Sequence, residues 1–409
     1  MNSAKYVILG GGMVAGYAAK ELANLGLKPG ELMIISSDTA LPYERPPLSK
    51  SFLSGKDAEE TLLINGVDFY KDHGIEVRLG TTAESLDVKN KRVRAGSGEE
   101  FAFQKLLLAT GARARTLDCP GSDLANVCYL RSLNDSKNIR SRAASAKEAV
   151  VIGGGFIGME VASVLAQKNI DITMIIQEDR VWRRVFTPEM STFFERYYAA
   201  RGVRLVKQAK VAALEGKEAV RSVALAGGNR ISCDLVVAGI GALPNTDLFK
   251  KSDIAVDNGV VVNEYLEASQ PDCYAAGDMT NYPDVIFEKR RRVEHWDNAV
   301  AQGQHWARIV ADDRQPFVHV PYFFSDIFDL SYELWGDPGG STQTVVRGDL
   351  NTSSFSVWWL KQDQLIAAFA MNRPEEERQL APEWIKAKQA LLPERLGDQS
   401  RPIRDAVQK

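Results

Sequence analysis

Two stretches of the chain share the same order of apolar and glycine positions. Residues 6–9 (YVIL) form an apolar, strand-like run that leads into Gly10, and residues 18–25 then have a helical pattern. Residues 149–152 (AVVI) lead in the same way into Gly153, which is also followed by a helical pattern. Each stretch predicts a strand, a tight turn and a helix, and the repetition indicates an internal duplication.

The glycines of the first stretch are placed as a dinucleotide-binding turn requires. Gly10 permits the turn, Gly12 lets the backbone approach a pyrophosphate, and Ala15 lets the helix pack closely on the strand. The N–H groups at the start of the helix then face the anion. A second apolar strand, at 33–37, is followed by Asp38, whose carboxylate is positioned to bond an adenosine ribose.

The second stretch carries the complete pattern GxGxxG. Two such units in one chain are far more specific than one, so the chain should bind two dinucleotides. The strand after the second unit is followed by Glu178, which would accept hydrogen bonds from the 2'-hydroxyl of NADH and repel the 2'-phosphate of NADPH. NADPH stays possible because Arg180, Arg183 and Arg184 follow. The residues of the pattern are Gly153, Gly155, Ile157 and Gly158.

Three further apolar segments predict buried strands that end in small-residue turns. A turn of this kind lets the backbone pass close to a flat ring, and an acid after it can accept hydrogen bonds from a polyol. The segments are 106–111 (LLLATG, with Thr110 and Gly111), 235–240 (LVVAGI, followed by Gly241) and 273–278 (CYAAGD, with Gly277 and Asp278).

Length and composition limit the classes of function. A chain of 409 residues is too long for one core, and after residue 314 the pattern changes to short aromatic strands with a helical tail from Ala381, which predicts a separate domain. A net charge of -3 gives no bias towards nucleic acid or an anionic membrane. Four cysteines without a CxxC pair fit a reducing compartment and indicate no metal cluster. We expect a cytoplasmic protein without a membrane span.

The order of both glycine turns, the ATG turn and the AAGD segment resembles the two-dinucleotide flavoprotein reductases of the glutathione-reductase-like fold. Within that group the chain is similar to the NADH-dependent ferredoxin, rubredoxin and putidaredoxin reductases, with apoptosis-inducing factor and monodehydroascorbate reductase as close relatives. The motifs that carry the similarity are RPPLSK at 45–50, GGGFIGME at 153–160, GALPNT at 241–246, RRVEHWDNA at 291–299 and PYFFSD at 321–326.

The resemblance implies an α/β fold with two Rossmann-like domains and a C-terminal α+β domain. FAD would bind the first glycine turn and NADH the second, with Glu178 at the NADH ribose. The FAD-binding domain would comprise residues 1–114 and 246–313, the NAD(H)-binding domain residues 115–245, and the C-terminal domain residues 314–409.

The resemblance also implies site residues. Lys50 and Glu160 match a pair that lies beside the reactive flavin nitrogen in this family. The lysine would stabilise negative charge as hydride arrives, and the glutamate would orient the nicotinamide amide. The other cofactor contacts outside the glycine turns would come from Arg45, Thr110, Gly111, Arg131, Gly241, Gly277, Asp278, Glu294, His295, Trp296 and Phe324.

Departures from the family patterns leave the electron acceptor open. The loop LPYERPPLSK at 41–50 has no cysteine, so we expect electrons to leave directly from the flavin rather than through a disulfide. Monodehydroascorbate reductase is the nearest competitor, but Phe324 and Val300 replace a tyrosine and an arginine that plant members carry at the ascorbate site. Reduction of a quinone and an NADH-sensing role like that of apoptosis-inducing factor also stay open.

A basic run, residues 289–292 (KRRR), lies just before Glu294. Small iron–sulfur carriers are typically acidic, so cations at the flavin edge would steer them into a transient complex. We therefore expect an oxidoreductase that takes hydride from NADH through FAD. It would deliver single electrons to a 2Fe-2S ferredoxin or a rubredoxin-like carrier, as a monomer or a homodimer.

Overall fold

The first apolar run of the sequence forms the buried half of a strand, Asn2–Leu9, in the computed structural model, which describes residues 2–408. The chain divides into two units. Unit 1 contains Met1–Glu44, Glu59–Arg113 and Leu243–Pro321, and unit 2 contains Arg45–Ala58, Ala114–Ala242 and Tyr322–Lys409. The three-domain division expected from the sequence stays a prediction.

Helices separate some of the strands in the first two thirds of the chain, and elsewhere several strands follow one another directly. The strands, numbered along the chain, are β1 (Asn2–Leu9), β2 (Leu32–Ile35), β3 (Glu76–Arg78), β4 (Ala83–Asp87), β5 (Arg92–Ala95), β6 (Glu100–Leu108), β7 (Ala112–Ala114), β8 (Val127–Tyr129), β9 (Glu148–Ile152), β10 (Asp171–Ile175), β11 (Arg204–Val206), β12 (Val211–Gly216), β13 (Val220–Leu225), β14 (Arg230–Ser232), β15 (Leu235–Ala238), β16 (Ala242–Pro244), β17 (Val260–Val261), β18 (Cys273–Ala275), β19 (Thr280–Asp284), β20 (Lys289–Arg291), β21 (Tyr322–Ile327), β22 (Leu330–Gly336), β23 (Gln343–Asp349), β24 (Ser354–Lys361) and β25 (Gln364–Met371). The α-helices are α1 (Met13–Asn24), α2 (Ser51–Ser54), α3 (Phe69–Asp72), α4 (Leu133–Ala143), α5 (Phe156–Ala166), α6 (Pro188–Ala199), α7 (Trp296–Val310), α8 (Glu375–Lys386) and α9 (Pro393–Gly397).

The main sheet of unit 1 has the order β3-β2-β1-β6-β5-β4, with β18 also paired with β6, and a smaller sheet has the order β17-β19-β20. Strands β1, β2, β3, β6 and β18 run parallel, so their C-terminal ends lie at the same edge. Helices α1 and α7 pack on one face of this sheet around Trp306, which is fully buried. The edge where parallel strands end is where α/β proteins bind their ligands.

Unit 2 contains a parallel sheet with the order β11-β10-β9-β15-β8 and, further along the chain, an antiparallel sheet with the order β21-β22-β25-β24-β23. Helix α5 follows β9 after the glycines at 153–155, as the glycine pattern predicts. The α/β fold with two Rossmann-like parts and an α+β C-terminal part is therefore confirmed. Between residues 2 and 408, no helix is both long and apolar enough to cross a bilayer.

The C-terminal helix begins earlier than the apolar pattern indicated. We expected a helical tail from Ala381, but α8 starts at Glu375 and continues past Pro382 to Lys386. Its first turn contains three successive glutamates, and negative charge in a first turn is favoured by the helix dipole.

A buried ion cluster joins α8 to the antiparallel sheet. The Glu377 carboxylate accepts Arg347 Nε at 3.1 Å, Arg373 Nη2 at 2.7 Å and Ser356 Oγ at 2.7 Å. Arg347 also donates to the Arg401 carbonyl at 2.8 Å, which fastens the segment after α9 to β23. The Glu377 side chain is only 3% exposed, so its charge depends on these partners.

Replacement of Glu377 by glutamine should lower the free energy of unfolding by about 3 kcal/mol, because two buried guanidinium groups lose their counter-charge. Burial acts to raise the pKa of Glu377, but donation from Arg373 and Ser356 outweighs it and holds that pKa below the ordinary value. The stabilisation is thus present above the unfolded-chain pKa of about 4.3 and is lost as the pH falls through the folded value. Urea unfolding at several pH values measures the difference.

The matched control is Glu376→Gln, which removes the exposed partner of Arg404 from the same helix turn. Its effect should stay below about 1 kcal/mol. A difference between wild type and Glu377→Gln that does not narrow below about pH 4 would contradict the proposed dependence on the Glu377 charge.

Candidate functional site

The two predicted glycine turns have the same backbone geometry. Gly10 has φ +124°, and a Cβ there would lie 2.1 Å from the Ala109 carbonyl oxygen. Gly153 has φ +114°, and its Cβ would lie 2.3 Å from the Gly239 carbonyl oxygen. Both positions combine a left-handed conformation with a neighbouring strand end that a side chain would strike, so both require glycine.

Both turns lead into helix N-termini that present free polar backbone. Gly12 precedes α1 and Gly155 precedes α5, each in an extended conformation and without a capping side chain. Neither helix has an acidic residue in its first turn. A Cβ at Gly155 would project into open space. Helix N-termini that lack both a capping side chain and an acidic residue suit the pyrophosphate of a dinucleotide, so each turn can receive one.

Asp38 follows β2 at the same sheet edge as Gly10. Its Oδ1 accepts the Ala40 N–H at 3.2 Å and its Oδ2 accepts the Tyr43 hydroxyl at 3.0 Å. A carboxylate has about four acceptor positions, so this half-buried group retains capacity for ribose hydroxyls. Asp38 therefore lies beyond the end of β2, and its role at the adenosine ribose stays a prediction.

The ATG turn after β6 is held by Asn245, a residue that the sequence pattern did not single out. Thr110 Oγ1 donates to the Asn245 carbonyl at 2.7 Å, and Asn245 Nδ2 donates to the Thr110 carbonyl at 2.9 Å. The Asn245 N–H also donates to the Gly111 carbonyl at 2.9 Å. These bonds fix the backbone of a turn that ends beside the first glycine turn.

Gly277 and Asp278 follow β18 at the same edge. Gly277 has φ +85° and donates its N–H to Gln302 Oε1 of α7 at 2.7 Å. The Asp278 carbonyl accepts Arg292 Nη1 at 2.8 Å. The left-handed glycine redirects the chain so that Asp278 follows the strand end, as the AAGD pattern predicts.

The segment from Glu294 to Trp296 forms the entry to α7. Glu294 pairs with Arg292, and His295 is the extended residue before the helix. The Trp296 indole donates to Glu44 Oε2 at 2.6 Å, and Glu44 also accepts the Tyr17 hydroxyl. Glu44 was not predicted as a site residue, although it lies within the LPYERPPLSK motif. It fixes the indole that the family resemblance places near the flavin.

In unit 2 the structure brings two of the predicted cofactor contacts together. Arg45 Nη1 donates to the Arg131 carbonyl at 2.5 Å. Arg131 itself precedes α4, whose N-terminus is closed by a capping box between Ser132 and Asp135. Both arginines therefore belong to a defined local structure rather than to an irregular loop.

The Lys50–Glu160 pair is present and shielded from solvent. Lys50 Nζ lies 3.0 Å from Glu160 Oε1, and the side chains are 13% and 3% exposed. The ammonium also lies 5.2 Å from the centre of the Phe324 ring. Burial first, and then the negative charge of Glu160, hold the pKa of Tyr332 well above its ordinary value, so Tyr332 is neutral. Lys50, Glu160 and Phe324, which were all predicted as site residues, thus lie together.

Two serines at this place were missed by the sequence reasoning. Ser325 Oγ donates to Glu160 Oε1 at 2.6 Å, and Ser49 Oγ donates to Glu160 Oε2. Both serines lie inside the motifs RPPLSK and PYFFSD, and Ser49 directly precedes Lys50. That adjacency was the only available signal.

The charged side chains that follow β10 form ion pairs with one another. Asp179 Oδ1 lies 3.5 Å from Arg180 Nη1 and 3.3 Å from Arg183 Nη1. Glu178, the predicted ribose ligand, is half-buried beside them. Ile157 on α5 is 39% exposed, and Gly241 has φ +108° with open space at its Cβ position. These positions leave room in front of the second glycine turn.

The basic run at 289–292 is largely engaged within unit 1. Arg290 donates to the Asn281 carbonyl at 3.1 Å, and Arg291 Nη1 lies 3.3 Å from the buried Asp284 carboxylate. Arg292 pairs with Glu294. Less of the charge of the basic run is therefore available to a partner than the sequence indicates, since Arg290, Arg291 and Arg292 hold β20 and the entry to α7.

The four cysteines are free thiols. Burial raises the pKa of Cys128 and Cys273 to about 11 and that of Cys233 to about 12, and it also raises the pKa of the partly exposed Cys119. A thiol with a raised pKa is a poor nucleophile near neutral pH. No pair of these residues forms a redox disulfide in the structure.

Comparison with known proteins agrees with this geometry. The pyridine nucleotide-disulphide oxidoreductase family matches residues 4–303, and the reductase C-terminal family matches residues 322–407. The peroxisomal monodehydroascorbate reductase 4 of Arabidopsis thaliana is 38% identical over 407 residues, covering 94% of this chain and 83% of that protein. The rubredoxin-NAD(+) reductase of Pseudomonas putida is 37% identical over 372 residues, covering 91% of this chain and 96% of that protein.

A solved structure supports the same assignment. The putidaredoxin reductase fold, seen in a covalent putidaredoxin reductase–putidaredoxin complex, matches with a TM-score of 0.94 and 31% identity over 99% of this chain and 98% of that one. The chain therefore belongs to the pyridine nucleotide-disulphide oxidoreductase family, as an NAD(P)H-dependent flavoprotein reductase that uses FAD and NADH.

Proposed function

We propose that this protein takes hydride from NADH and passes single electrons to a small iron–sulfur carrier of the ferredoxin or rubredoxin type. The observation that carries the proposal is the buried Lys50–Glu160 pair in the same unit as the second glycine turn. A buried ammonium and a buried carboxylate each need the other as a partner to stay charged. In a site without water, such a fixed charge strongly stabilises charge that develops during a reaction.

The residues that would hold FAD come from several strand ends. Gly10 and Gly12 would receive the pyrophosphate, and Asp38 would accept hydrogen bonds from the adenosine ribose. Asp278 would bond the ribityl chain. The other proposed FAD contacts are Ala15, Arg45, Thr110, Gly111, Arg131, Gly277, Glu294, His295, Trp296 and Phe324.

The second glycine turn would receive NADH, with Glu178 at its adenosine ribose and Gly153, Gly155, Ile157, Gly158 and Gly241 lining the approach. FAD supplies the redox chemistry, since it accepts a hydride and releases electrons one at a time. Lys50 supplies a fixed positive charge, and Glu160 keeps that charge in place and orients the nicotinamide amide.

The thiols do not support a disulfide relay. All four cysteines are unpaired, and their raised pKa values disfavour thiolate at neutral pH. Electrons would therefore leave directly from the flavin. Unpaired thiols are also consistent with a reducing compartment, which supports a cytoplasmic location.

A carrier as acceptor is supported by the relatives, one of which is named for rubredoxin and another of which is seen with putidaredoxin. Monodehydroascorbate reduction is the second candidate because a relative of that name is 38% identical over 94% of the chain. Phe324 and Val300 are apolar where the resemblance places polar ascorbate ligands. The loss of hydrogen-bonding groups disfavours a small polar substrate.

NADH should reduce the purified flavoprotein rapidly, and subsequent mixing with a 2Fe-2S ferredoxin should reoxidise it while the iron–sulfur absorbance bleaches. Stopped-flow absorbance at both chromophores measures the two steps. A reduced flavin that reacts with monodehydroascorbate but ignores both ferredoxin and rubredoxin would contradict the carrier proposal and favour the second candidate.

The double variant Glu178→Gln with Asp179→Asn should raise kcat/KM for NADPH relative to NADH by about tenfold, or about 1.4 kcal/mol. The substitution removes two carboxylates that repel a 2'-phosphate, and it releases Arg180 and Arg183. Calorimetric binding of 2',5'-ADP should strengthen in parallel. Asp171→Asn, at the other end of β10, is the single-charge control and should leave both quantities unchanged.

Lys289→Gln should lower the rate constant for ferredoxin reduction by about two- to threefold at low ionic strength and weaken its salt dependence. The expected effect is small because the substitution removes a single charge from the run. Lys251→Gln removes the same charge elsewhere in unit 1 and serves as control. If the two variants show equal salt dependence, the basic run does not steer the carrier.

A further inference from the structure

The Glu160 carboxylate is held at both of its oxygens. Lys50 Nζ lies 3.0 Å from Oε1, and Ser325 Oγ donates to the same oxygen at 2.6 Å. Ser49 Oγ donates to Oε2. A carboxylate bonded on one oxygen only can turn about its Cγ–Cδ bond, whereas bonds on both oxygens fix its plane.

The two serines reach Glu160 from separate segments. Ser49 ends the short helical turn Pro46–Ser49, and Ser325 lies within β21. Both are buried, with 2% and 0% of their surface exposed. A buried hydroxyl must find a partner, and the carboxylate gives each of them a charged acceptor.

We propose that Ser49 and Ser325 are positioning residues for hydride transfer, which act by fixing the Glu160 carboxylate in the plane that keeps Lys50 on Oε1. This inference rests on the proposed function. Loss of Ser49 removes the hydroxyl donor on Oε2, so the carboxylate can turn and carry the ammonium with it. Loss of Ser325 leaves Lys50 on Oε1 without the second donor to that oxygen, so Oε1 and the ammonium beside it are held less firmly. Bonds to a charged acceptor are the stronger kind, so each hydroxyl should matter separately.

The chain provides a matched control on the same helix. Ser163 lies one turn after Glu160 on α5, is 1% exposed, and accepts the Phe328 N–H on its Oγ at 2.6 Å. Ser163→Ala thus removes a buried hydroxyl that is bonded to Phe328, just after the end of β21. The substitution removes no hydrogen bond to Glu160.

The experiment measures two quantities for the FAD-loaded wild type and each variant: the limiting rate of flavin reduction by NADH, and the dissociation constant for NAD+ by calorimetry. Ser49→Ala and Ser325→Ala should each slow reduction by about tenfold, because a charge-assisted bond is lost. The dissociation constant should stay within about twofold of wild type, because the glycine turn holds most of the dinucleotide. Ser163→Ala should leave both quantities within about twofold of wild type.

A double-mutant cycle tests whether the serines act through Glu160. In a Glu160→Ala background, Ser325→Ala should cause no further slowing. Additive slowing would overturn the inference, and so would equal slowing in Ser163→Ala. Because Ser49 and Ser325 lie on different segments, a folding failure of one variant leaves the other as a test.

The design separates the two levels of the proposal. A wild-type holoenzyme that NADH does not reduce would refute the proposed function. A wild type that is reduced at the same rate as Ser49→Ala and Ser325→Ala would refute the positioning role alone.

Discussion

The buried negative charge of Glu160 is the constraint on which the organisation of unit 2 depends. A carboxylate that is 3% exposed is tolerated only when charged and hydrogen-bonding groups replace water. Its partners come from the segment that contains Ser49 and Lys50 and from β21, which are separated from it by more than a hundred residues. The Rossmann helix α5, the loop before α2 and the C-terminal sheet must therefore meet at one point.

The two glycine turns differ from the Glu160 site, because they leave the first N–H groups of helices α1 and α5 without a capping side chain. Helices α1 and α5 both start at an extended glycine with no capping side chain and no acid in the first turn. Helix α4, by contrast, is closed by the capping box of Ser132 and Asp135. An uncapped N-terminus beside the C-terminal ends of parallel strands is a site for an anionic ligand. A dinucleotide bound at these N-termini would therefore stabilise the folded chain in place of a capping side chain.

The arginines show why charge in a sequence differs from charge available to a partner. Arg291 neutralises the buried Asp284, and Asp179 lies against both Arg180 and Arg183. The charges of a basic run or an arginine cluster can be used within the protein to hold strands and loops together, and they are then not available to a partner. The cluster around Glu377 does the same in the C-terminal part, where Arg347 and Arg373 share one carboxylate.

The sequence by itself was enough to predict three features. They are the two strand–glycine–helix units, the order along the chain of the turns that follow the parallel strands, and the pairing of Lys50 with Glu160. The first two depend on local backbone rules, since only glycine accepts the conformations at Gly10 and Gly153, and the pairing came from a family resemblance. Tertiary structure alone decided the contacts of Ser49, Ser325, Glu44 and Asn245, and it decided which arginines are engaged. Those contacts join residues far apart in the chain, and a hydroxyl or guanidinium has no local pattern that names its partner.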